Sequence, residues 1–218
     1  MHFEILIEDQ SGKELISALM SKILHPNASQ HSWKIHPYKG IGNIPKGMNK
    51  PGDPKKRLLL DQLPRLLKGY GKSFRGFSNV VVVVVDLDDR NCIEFKQELV
   101  DLLESCNPAP NTIFRLAIEE IEAWLLGDIH AVNAAYPKAK RNILGKYTQD
   151  SICGTWEILA DAIHSSGSTG LKRSGYPEIG RVKCEWARKI AEHMNVEENH
   201  SKSFQLFRDS LRRTIEEA

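Results

Sequence analysis

The feature that most constrains the fold is a run of six consecutive valines, Val80 to Val85. The run is too short for a typical helix, and it is apolar on both faces of an extended chain. β-Branched residues favour extended backbone, and a strand without polar positions is typical of a parallel sheet covered by helices on both sides. The run therefore predicts a central strand of an α/β domain.

Shorter patterns surround this strand. Alternating or short apolar runs predict further strands at residues 3–7, 32–36 and 111–118. Apolar residues at helical spacing predict helices at residues 15–24, 57–67, 93–103 and 119–126. Because strands alternate with helices, we expect a mainly parallel sheet flanked by helices.

The last third of the chain has a different pattern. From about Asp150 onward it is helical, with helices predicted at residues 156–164, 181–194 and 203–216. A Ser/Gly-rich loop is predicted between the first two, from Ser165 to Gly180. We expect an α/β domain over residues 1–150 and a helical C-terminal extension over residues 151–218, packed on the same domain. A chain of 218 residues is long enough for such a domain.

Three features bear on the location of the protein. The six-residue valine run is the longest apolar run, whereas a membrane-spanning helix needs about 20 apolar residues. The N-terminal segment has acids within its apolar stretch and no small-residue cleavage site, so no signal peptide is predicted. The four cysteines form no C-x-x-C motif, which favours a reduced, cytoplasmic protein without a disulfide or zinc framework. We interpret Cys92 and Cys106 as small core residues.

Charge is strongly segregated along the chain, although the net charge is only +2. Residues 34–75 hold eleven Lys or Arg against two acids, and residues 86–128 hold eleven acids against three bases. A basic segment beside an acidic one suits a metal-dependent phosphodiesterase, in which the bases hold a polyanion and the acids hold cations. The alternative is that both segments are simply solvated surface.

Acidic residues follow three of the predicted strands. These residues are Glu8 and Asp9 after the first, Asp86, Asp88 and Asp89 after the valine run, and Glu119, Glu120 and Glu122 after residues 111–118. In a parallel sheet, ligands bind beyond the carboxyl ends of the strands. Residues two apart on an extended chain face one side, so Asp86 and Asp88 are expected to point into one site.

Glu119 and Glu122, three apart at a helix start, are expected to share a face. Clustered carboxylates repel one another unless a cation relieves them, and oxygen ligands select Mg²⁺ or Mn²⁺ over zinc. Each signal also has a structural explanation, since an acid after a strand often only caps a helix or suits its macrodipole.

Other catalytic signatures are missing from the sequence. It has no G-x-S-x-G, no Walker loop, no G-x-G-x-x-G and no pair of histidines at helical metal-ligand spacing. A metal-dependent phosphoryl transferase is therefore the best-supported enzyme class, ahead of a hydrolase with a nucleophilic serine or a zinc enzyme.

Four segments resemble a known family. A Glu after the first strand and an apolar strand ending in D-x-D resemble the TOPRIM fold of topoisomerases, primases and overcoming-lysogenization-defect nucleases. The fuller pattern resembles the bacterial TOPRIM-like family known as domain of unknown function 4276 (DUF4276). The matching segments are ILIEDQSGKE (5–14), VVVVVDLDDRNC (81–92), FRLAIEEIEAWLLGD (114–128) and SKSFQLFRDSL (201–211).

The resemblance implies a fold and roles for the acids. The fold would be a four-stranded, Rossmann-like, mainly parallel sheet, and the reaction would make or break phosphodiester bonds with Mg²⁺. Glu8 matches the TOPRIM glutamate, a general acid or base or a metal ligand, and Asp86 and Asp88 match the D-x-D metal ligands. Glu119 and Glu122 match the E-x-x-E-x-W segment and are interpreted as additional ligands of the same metal or as ligands of a second one.

Family members resemble partners of a neighbouring ATPase in anti-phage defence loci. This chain departs from the TOPRIM pattern in two ways. Asp9 replaces the usual Gly after the first Glu, and Gly12 stands where an acid is often found. Asp9 or Glu14 is an alternative source of that acid, so a second metal is less well supported than the first.

The sequence therefore predicts a Mg²⁺- or Mn²⁺-dependent nuclease or related phosphoryl-transfer enzyme acting on DNA or RNA. A long loop is predicted from Gly40 to Pro54. The residues expected to contact the nucleic acid backbone are Lys39, Lys46, Lys50, Lys55, Lys56, Arg57, Lys172, Arg173 and Arg181.

Two alternatives stay open. One is a TOPRIM-like regulatory or binding module without turnover that docks to a partner ATPase, and the other is a nucleotide-binding or ligase-type activity on small substrates. Trp124 and Trp186 lie at apolar helical positions and are interpreted as packing residues.

Overall fold

The computed structural model describes residues 1–45, 55–151 and 154–218. The described residues form one four-stranded sheet of order β2-β1-β3-β4. Its strands are β1 (His2–Ile7), β2 (Ser32–Pro37), β3 (Asn79–Asp86) and β4 (Thr112–Ala117), and every pairing is parallel. All four carboxyl ends therefore lie at one edge of the sheet, which confirms the predicted mainly parallel α/β fold.

The helices of the described residues cover both faces of this sheet. Those between the strands are α1 (Gln10–Ile23), α2 (Leu59–Ser73) and α3 (Cys92–Glu104), with a short 3-10 helix at Ala28–Gln30. Those after β4 are α4 (Glu122–Leu126), α5 (Ile129–Ala135), α6 (Arg141–Leu144), α7 (Thr155–Ile163), α8 (Gly167–Ser174), α9 (Tyr176–His193) and α10 (Lys202–Glu216).

The valine run is the centre of the hydrophobic core. Val80, Val82 and Val84 belong to one core cluster, and the alternate valines belong to a second cluster on the other face. All six are at most 1% exposed. Side chains alternate across a strand, so a strand covered on both faces needs apolar residues at every position. This arrangement confirms the prediction made from the run.

The C-terminal helices pack on the sheet domain. Helix α9 packs along α1, and α10 packs against β4. One core cluster contains β1 and β3 residues together with Trp124 and Trp186, which are 0% and 2% exposed. The ring of Trp124 stacks on Phe207, and its Nε1 donates a hydrogen bond to Ser203 Oγ at 2.9 Å. Both tryptophans are packing residues, as predicted.

The structure corrects several element predictions. The predicted loop from Ser165 to Gly180 is wrong, because it contains α8 and the first turn of α9. Burial of Leu171 and Ile179 stabilises these helices despite their serines and glycines, whose low helix propensity misled the sequence analysis. The helix predicted at residues 57–67 instead spans Leu59–Ser73.

Three further features differ from the sequence analysis. The helix predicted at residues 119–126 begins only at Glu122. Helices α5 and α6 were not predicted, because they are short and weakly patterned. Cys106 is buried as expected, but Cys92 is exposed at the start of α3, so the core assignment of Cys92 is wrong. Among the described residues, no helix is both long and apolar enough to cross a membrane.

Candidate active site at the carboxyl edge of the sheet

Two acids come together where β1 and β3 end. Ile7, the last residue of β1, is in register with Val84 of β3. Glu8, which follows β1, and Asp86, which ends β3, therefore lie at the same edge of the sheet. Glu8 Oε2 accepts a hydrogen bond from the backbone N–H of Asp86 at 3.4 Å. The predicted proximity of Glu8 and Asp86 thus results from the strand register.

Asp88 reaches this site by a different route from the one predicted. Its φ is 51°, which lies in the left-handed region, so the alternation expected of an extended Asp86-Leu87-Asp88 segment is wrong. The backbone N–H of Asp88 donates to the carbonyl of Glu119 at 2.9 Å, which fixes the turn after β3 against the turn after β4. Asp88 is half-buried in this turn, and its charge acts on Glu8.

Burial and neighbouring charges raise the pKa values of all three acids. Burial, followed by the charge of Asp88, raises the pKa of Glu8 to about 7. Burial and the charge of Glu8 raise the pKa of Asp86 well above its usual range. Burial also raises the pKa of Asp88, and Arg90 offsets only part of this effect. Clustered acids with raised pKa values are a frequent mark of functional sites.

Glu119 has a structural partner on each carboxylate oxygen. Its φ is 57°, so it precedes α4 and does not share a helical face with Glu122, contrary to the sequence analysis. The two oxygens accept hydrogen bonds from the backbone N–H groups of Gly154 and Thr155, each at 2.7 Å. These N–H groups belong to the start of α7, so Glu119 caps that helix from a distance in sequence.

Glu122 is paired with a lysine that the sequence analysis missed. Its side chain is 1% exposed, and its Oε2 lies 3.0 Å from Lys183 Nζ on α9. Glu120 Oε2 lies 3.6 Å from the same nitrogen, which is an ion-pair distance. Lys183 is therefore the cation at the centre of this acidic region.

Electrostatics make Lys183 strongly cationic. Burial by itself lowers the pKa of a lysine, but the carboxylates of Glu122, Glu120 and Asp86 raise the pKa of Lys183 above its ordinary value. Burial and the charge of Glu122 raise the pKa of Glu120 to about 8.

A signal for Lys183 was present in the sequence. It lies within the apolar stripe of α9, four residues after Ile179 and three before Trp186, where a charged side chain needs a partner.

Asp9 and Gly12 have packing and capping roles at the start of α1. Asp9 Oδ1 accepts from the N–H of Gly12 at 2.8 Å, and its Oδ2 accepts from Ser11 Oγ at 2.7 Å. A Cβ at Gly12 would lie 2.4 Å from Ile7 Cδ1. The close approach of α1 to β1 therefore explains why an acid does not occupy position 12.

The metal-ligand set suggested by the sequence divides in two. Glu119 is engaged by backbone N–H groups and Glu122 by Lys183, whereas Glu8, Asp86 and Asp88 keep a charge repulsion that a cation relieves. Within residues 1–45, 55–151 and 154–218, no three His, Cys, Asp or Glu side chains are already grouped as a metal site. The donor chemistry of the three strand-end acids fits a hard divalent cation.

Part of the predicted basic surface lies beside these acids. The N–H of Gly40 donates to the carbonyl of Glu8 at 3.0 Å, and the N–H of Lys39 donates to the carbonyl of Arg57 at 2.9 Å. Lys39, Lys55, Lys56 and Arg57 are all exposed. Backbone pairing thus brings Lys39 and Arg57 next to the end of β1. Lys46, Lys50 and most of the predicted Gly40–Pro54 loop lie outside the described residues.

The second predicted basic set lies on α8 and α9. Lys172, Arg173 and Arg181 are exposed. Lys172 pairs with Glu157 at 3.0 Å, and Arg181 pairs with Glu178 at 2.7 Å. Lys172 lines a cavity of about 590 Å³ that also contacts Asp9, Glu120 and Lys183. This cavity opens beside the acidic edge of the sheet.

An all-parallel α/β domain with acids gathered at the carboxyl ends of β1 and β3 is the class that the fold and the site define. Within that class the chain belongs to the family described as domain of unknown function (DUF4276), whose sequence model matches residues 7–212. The family resemblance stated from the four segments is thereby confirmed. Comparisons with curated proteins and with solved structures found no match.

Proposed function

We propose that this protein is a Mg²⁺- or Mn²⁺-dependent phosphoryl-transfer enzyme, a nuclease, with Glu8, Asp86 and Asp88 at its active site. The observation that carries the proposal is the strand register, which brings Glu8 and Asp86 together at the carboxyl edge of the sheet, where Glu8 Oε2 accepts a hydrogen bond from the N–H of Asp86. Burial and neighbouring charges also raise the pKa values of Glu8, Asp86 and Asp88. A relationship to the TOPRIM fold is part of the proposal. It is supported by the parallel sheet, with a Glu after β1 and a D-x-D after β3.

Each acid has a role that follows from its position. Asp86 and Asp88 would hold the divalent cation, which supplies charge to polarise the scissile phosphate and to activate water. Glu8 has a pKa of about 7, so near neutral pH it accepts and releases a proton readily, as a general base does. Glu8 alternatively completes the metal ligands. Glu119 and Glu122 are left out of this proposed set because each already has a strong partner.

The exposed bases beside Glu8 would bind the nucleic acid backbone. Lys39 and Arg57 lie next to the end of β1, and Lys55 and Lys56 precede Arg57 in the chain. Contacts of this kind release counterions from the nucleic acid, so affinity is expected to fall steeply as salt rises. Their closeness to the strand-end acids supports a polymeric substrate over a small one.

A cleavage assay tests the proposal. Plasmid DNA and single-stranded RNA are incubated with the protein in Mg²⁺, in Mn²⁺ and in EDTA, alongside Asp86→Asn and Glu8→Gln. Glu94→Gln, an exposed acid on α3, is the matched control. We expect metal-dependent cleavage by the wild type and by Glu94→Gln, and a loss of at least about a hundredfold in the two site variants. Cleavage that persists in both site variants contradicts the assignment of the site.

One observation favours a second candidate function. Lys183 already supplies a positive charge to the acidic region. A protein that binds no metal there would need such a charge to offset the repulsion between its carboxylates. The alternative is a regulatory module that docks to a partner ATPase, in a role such as anti-phage defence. A ligand that binds only the folded state raises the thermal midpoint. A midpoint unchanged by Mn²⁺ would favour this alternative.

A cytoplasmic location completes the proposal. The three described cysteines, Cys92, Cys106 and Cys184, are free thiols, in keeping with a reducing compartment.

A further inference from the structure

The cavity beside the acidic edge has the dimensions of a small-molecule site. Its volume is about 590 Å³, within the range of about 300 to 1,000 Å³ that is typical of ligand pockets. Helices α7, α8 and α9 form its walls, and Asp9 and Glu120 connect it to the carboxyl edge of the sheet. A group bound in this cavity would therefore lie next to the proposed reaction centre.

Two aromatic side chains line the cavity. Tyr176, at the first position of α9, is 88% exposed, although it is a large side chain. Trp156, in the first turn of α7, is half-buried. Gly175 and Gly180 also line the cavity, and the space where a Cβ of Gly180 would lie is empty. The absence of side chains at these two positions leaves the aromatic surfaces open to a flat ligand.

The polar groups of the cavity are carboxylates and two cations, Lys172 on α8 and Lys183 on α9. Glu120 Oε2 and Glu157 Oε2 are buried, and neither accepts a hydrogen bond from any residue that the structure describes, although Glu120 Oε2 lies 3.6 Å from Lys183 Nζ. Lys172 Nζ lies 5.5 Å from the centre of the Trp156 ring and 3.0 Å from Glu157 Oε1. A planar ligand with N–H donors on its edge and a nearby negative charge would satisfy these groups.

We infer that this cavity binds one unpaired nucleobase of the substrate, between Trp156 and Tyr176, and that the substrate class is single-stranded nucleic acid. The inference rests on the proposed function for the identity of the polymer. In a duplex both faces of a base are covered by its stacked neighbours, whereas an unpaired base is free to stack on an aromatic side chain. The N–H groups of the base would meet the acceptors of Glu120 and Glu157, and Lys172 would lie near a flanking phosphate.

A binding measurement in EDTA tests the inference without interference from cleavage. The fluorescence anisotropy of a short labelled single strand is compared with that of the same sequence as a duplex. We expect the wild type to bind the single strand more tightly. Tyr176→Ala and Trp156→Ala should each weaken single-strand binding about tenfold, as is typical when one stacked base loses its platform, and leave duplex binding unchanged.

Phe77→Ala is the matched control. Phe77 is another exposed aromatic residue, 70% exposed, and it precedes β3 at the opposite end of the sheet. Its substitution should leave both affinities unchanged. Because Tyr176 is exposed, Tyr176→Ala is expected to fold even if Trp156→Ala is destabilised, and Trp156→Phe keeps an aromatic ring at the second position.

The outcomes separate this inference from the proposed function. Equal wild-type affinity for the two forms, no binding of either form, or unchanged single-strand affinity in Tyr176→Ala and Trp156→Ala overturns the base-binding cavity. Metal-dependent cleavage that is lost in Asp86→Asn would still support the nuclease in those cases. Conversely, a single-strand preference that depends on Tyr176, in a protein that cleaves nothing, supports the cavity and contradicts the nuclease.

Discussion

Two regions at the same edge of the sheet use carboxylates in opposite ways. At the junction of β4 and α7, both oxygens of Glu119 accept backbone hydrogen bonds at 2.7 Å. At the ends of β1 and β3, Glu8 lies beside Asp86, Asp88 follows in the next turn, and burial with nearby negative charge raises the pKa values of all three. The first arrangement stabilises the fold. The second costs stability, and such a cost is often found at functional sites.

Lys183 pairs with Glu120 and Glu122 at this edge, and its removal should lower the free energy of unfolding more than any other change considered. Lys183→Met leaves Glu122 and Glu120 buried without their cation, so we expect the free energy of unfolding at pH 7 to fall by about 3 kcal/mol or more. Urea denaturation measures it. The control is Lys189→Met on the same helix, an exposed lysine whose ion pair with Glu185 contributes well under about 1 kcal/mol. Equal losses in the two variants would show that Lys183 has no special role.

The pH dependence of stability tests the second region. Glu8 and Glu120 have folded-state pKa values of about 7 and about 8, above the ordinary 4.5, so the folded state holds more protons than the unfolded state between these limits. The free energy of unfolding should therefore fall by several kcal/mol as pH rises from about 5 to 8, because one pKa unit corresponds to about 1.4 kcal/mol. Lys183 stays protonated in both states throughout this window and adds no slope.

Denaturation at several pH values measures this slope. Glu120→Gln should flatten it, because it removes one of the two groups with a raised pKa. A free energy of unfolding that rises between pH 5 and 8 would contradict the electrostatic description of the strand-end acids.

Loss of the capping carboxylate should be smaller but clear. Glu119→Ala leaves the N–H groups of Gly154 and Thr155 without their acceptors, so we expect a loss of about 2 kcal/mol in the free energy of unfolding. Glu119→Gln keeps one acceptor and should recover part of this loss. Thermal or urea denaturation of the two variants checks the order, and a neutral Glu119→Ala would mean that the cap does not stabilise α7.

The smallest effect on stability is expected at Asp88. Asp88→Asn removes a charge that repels Glu8, so the free energy of unfolding at pH 7 should change by less than about 1 kcal/mol, in the stabilising direction. The same substitution should abolish the metal-dependent rise of the thermal midpoint. A marked destabilisation would instead assign Asp88 a structural role like that of Glu119.

The sequence predicted the fold better than it predicted the site. A strand with six consecutive apolar residues is favourable only where both of its faces are buried, so Val80 to Val85 located the centre of the sheet. The proximity of Glu8 and Asp86 followed from parallel register. The partners of Glu119 and Glu122 could not be predicted from the sequence. Gly154, Thr155 and Lys183 are distant from them along the chain, and only tertiary packing brings them near. The left-handed backbone at Asp88 also left no local signal.

The most direct test of the central claim is the binding of Mn²⁺, measured by isothermal titration calorimetry at pH 7.5. The claim is that Glu8, Asp86 and Asp88 form a divalent-cation site and that Glu119 does not belong to it. We expect saturable binding by the wild type and by Glu119→Gln, and none by Asp86→Asn or Asp88→Asn. Absence of binding in the wild type, or binding that survives in both aspartate variants, would contradict the claim.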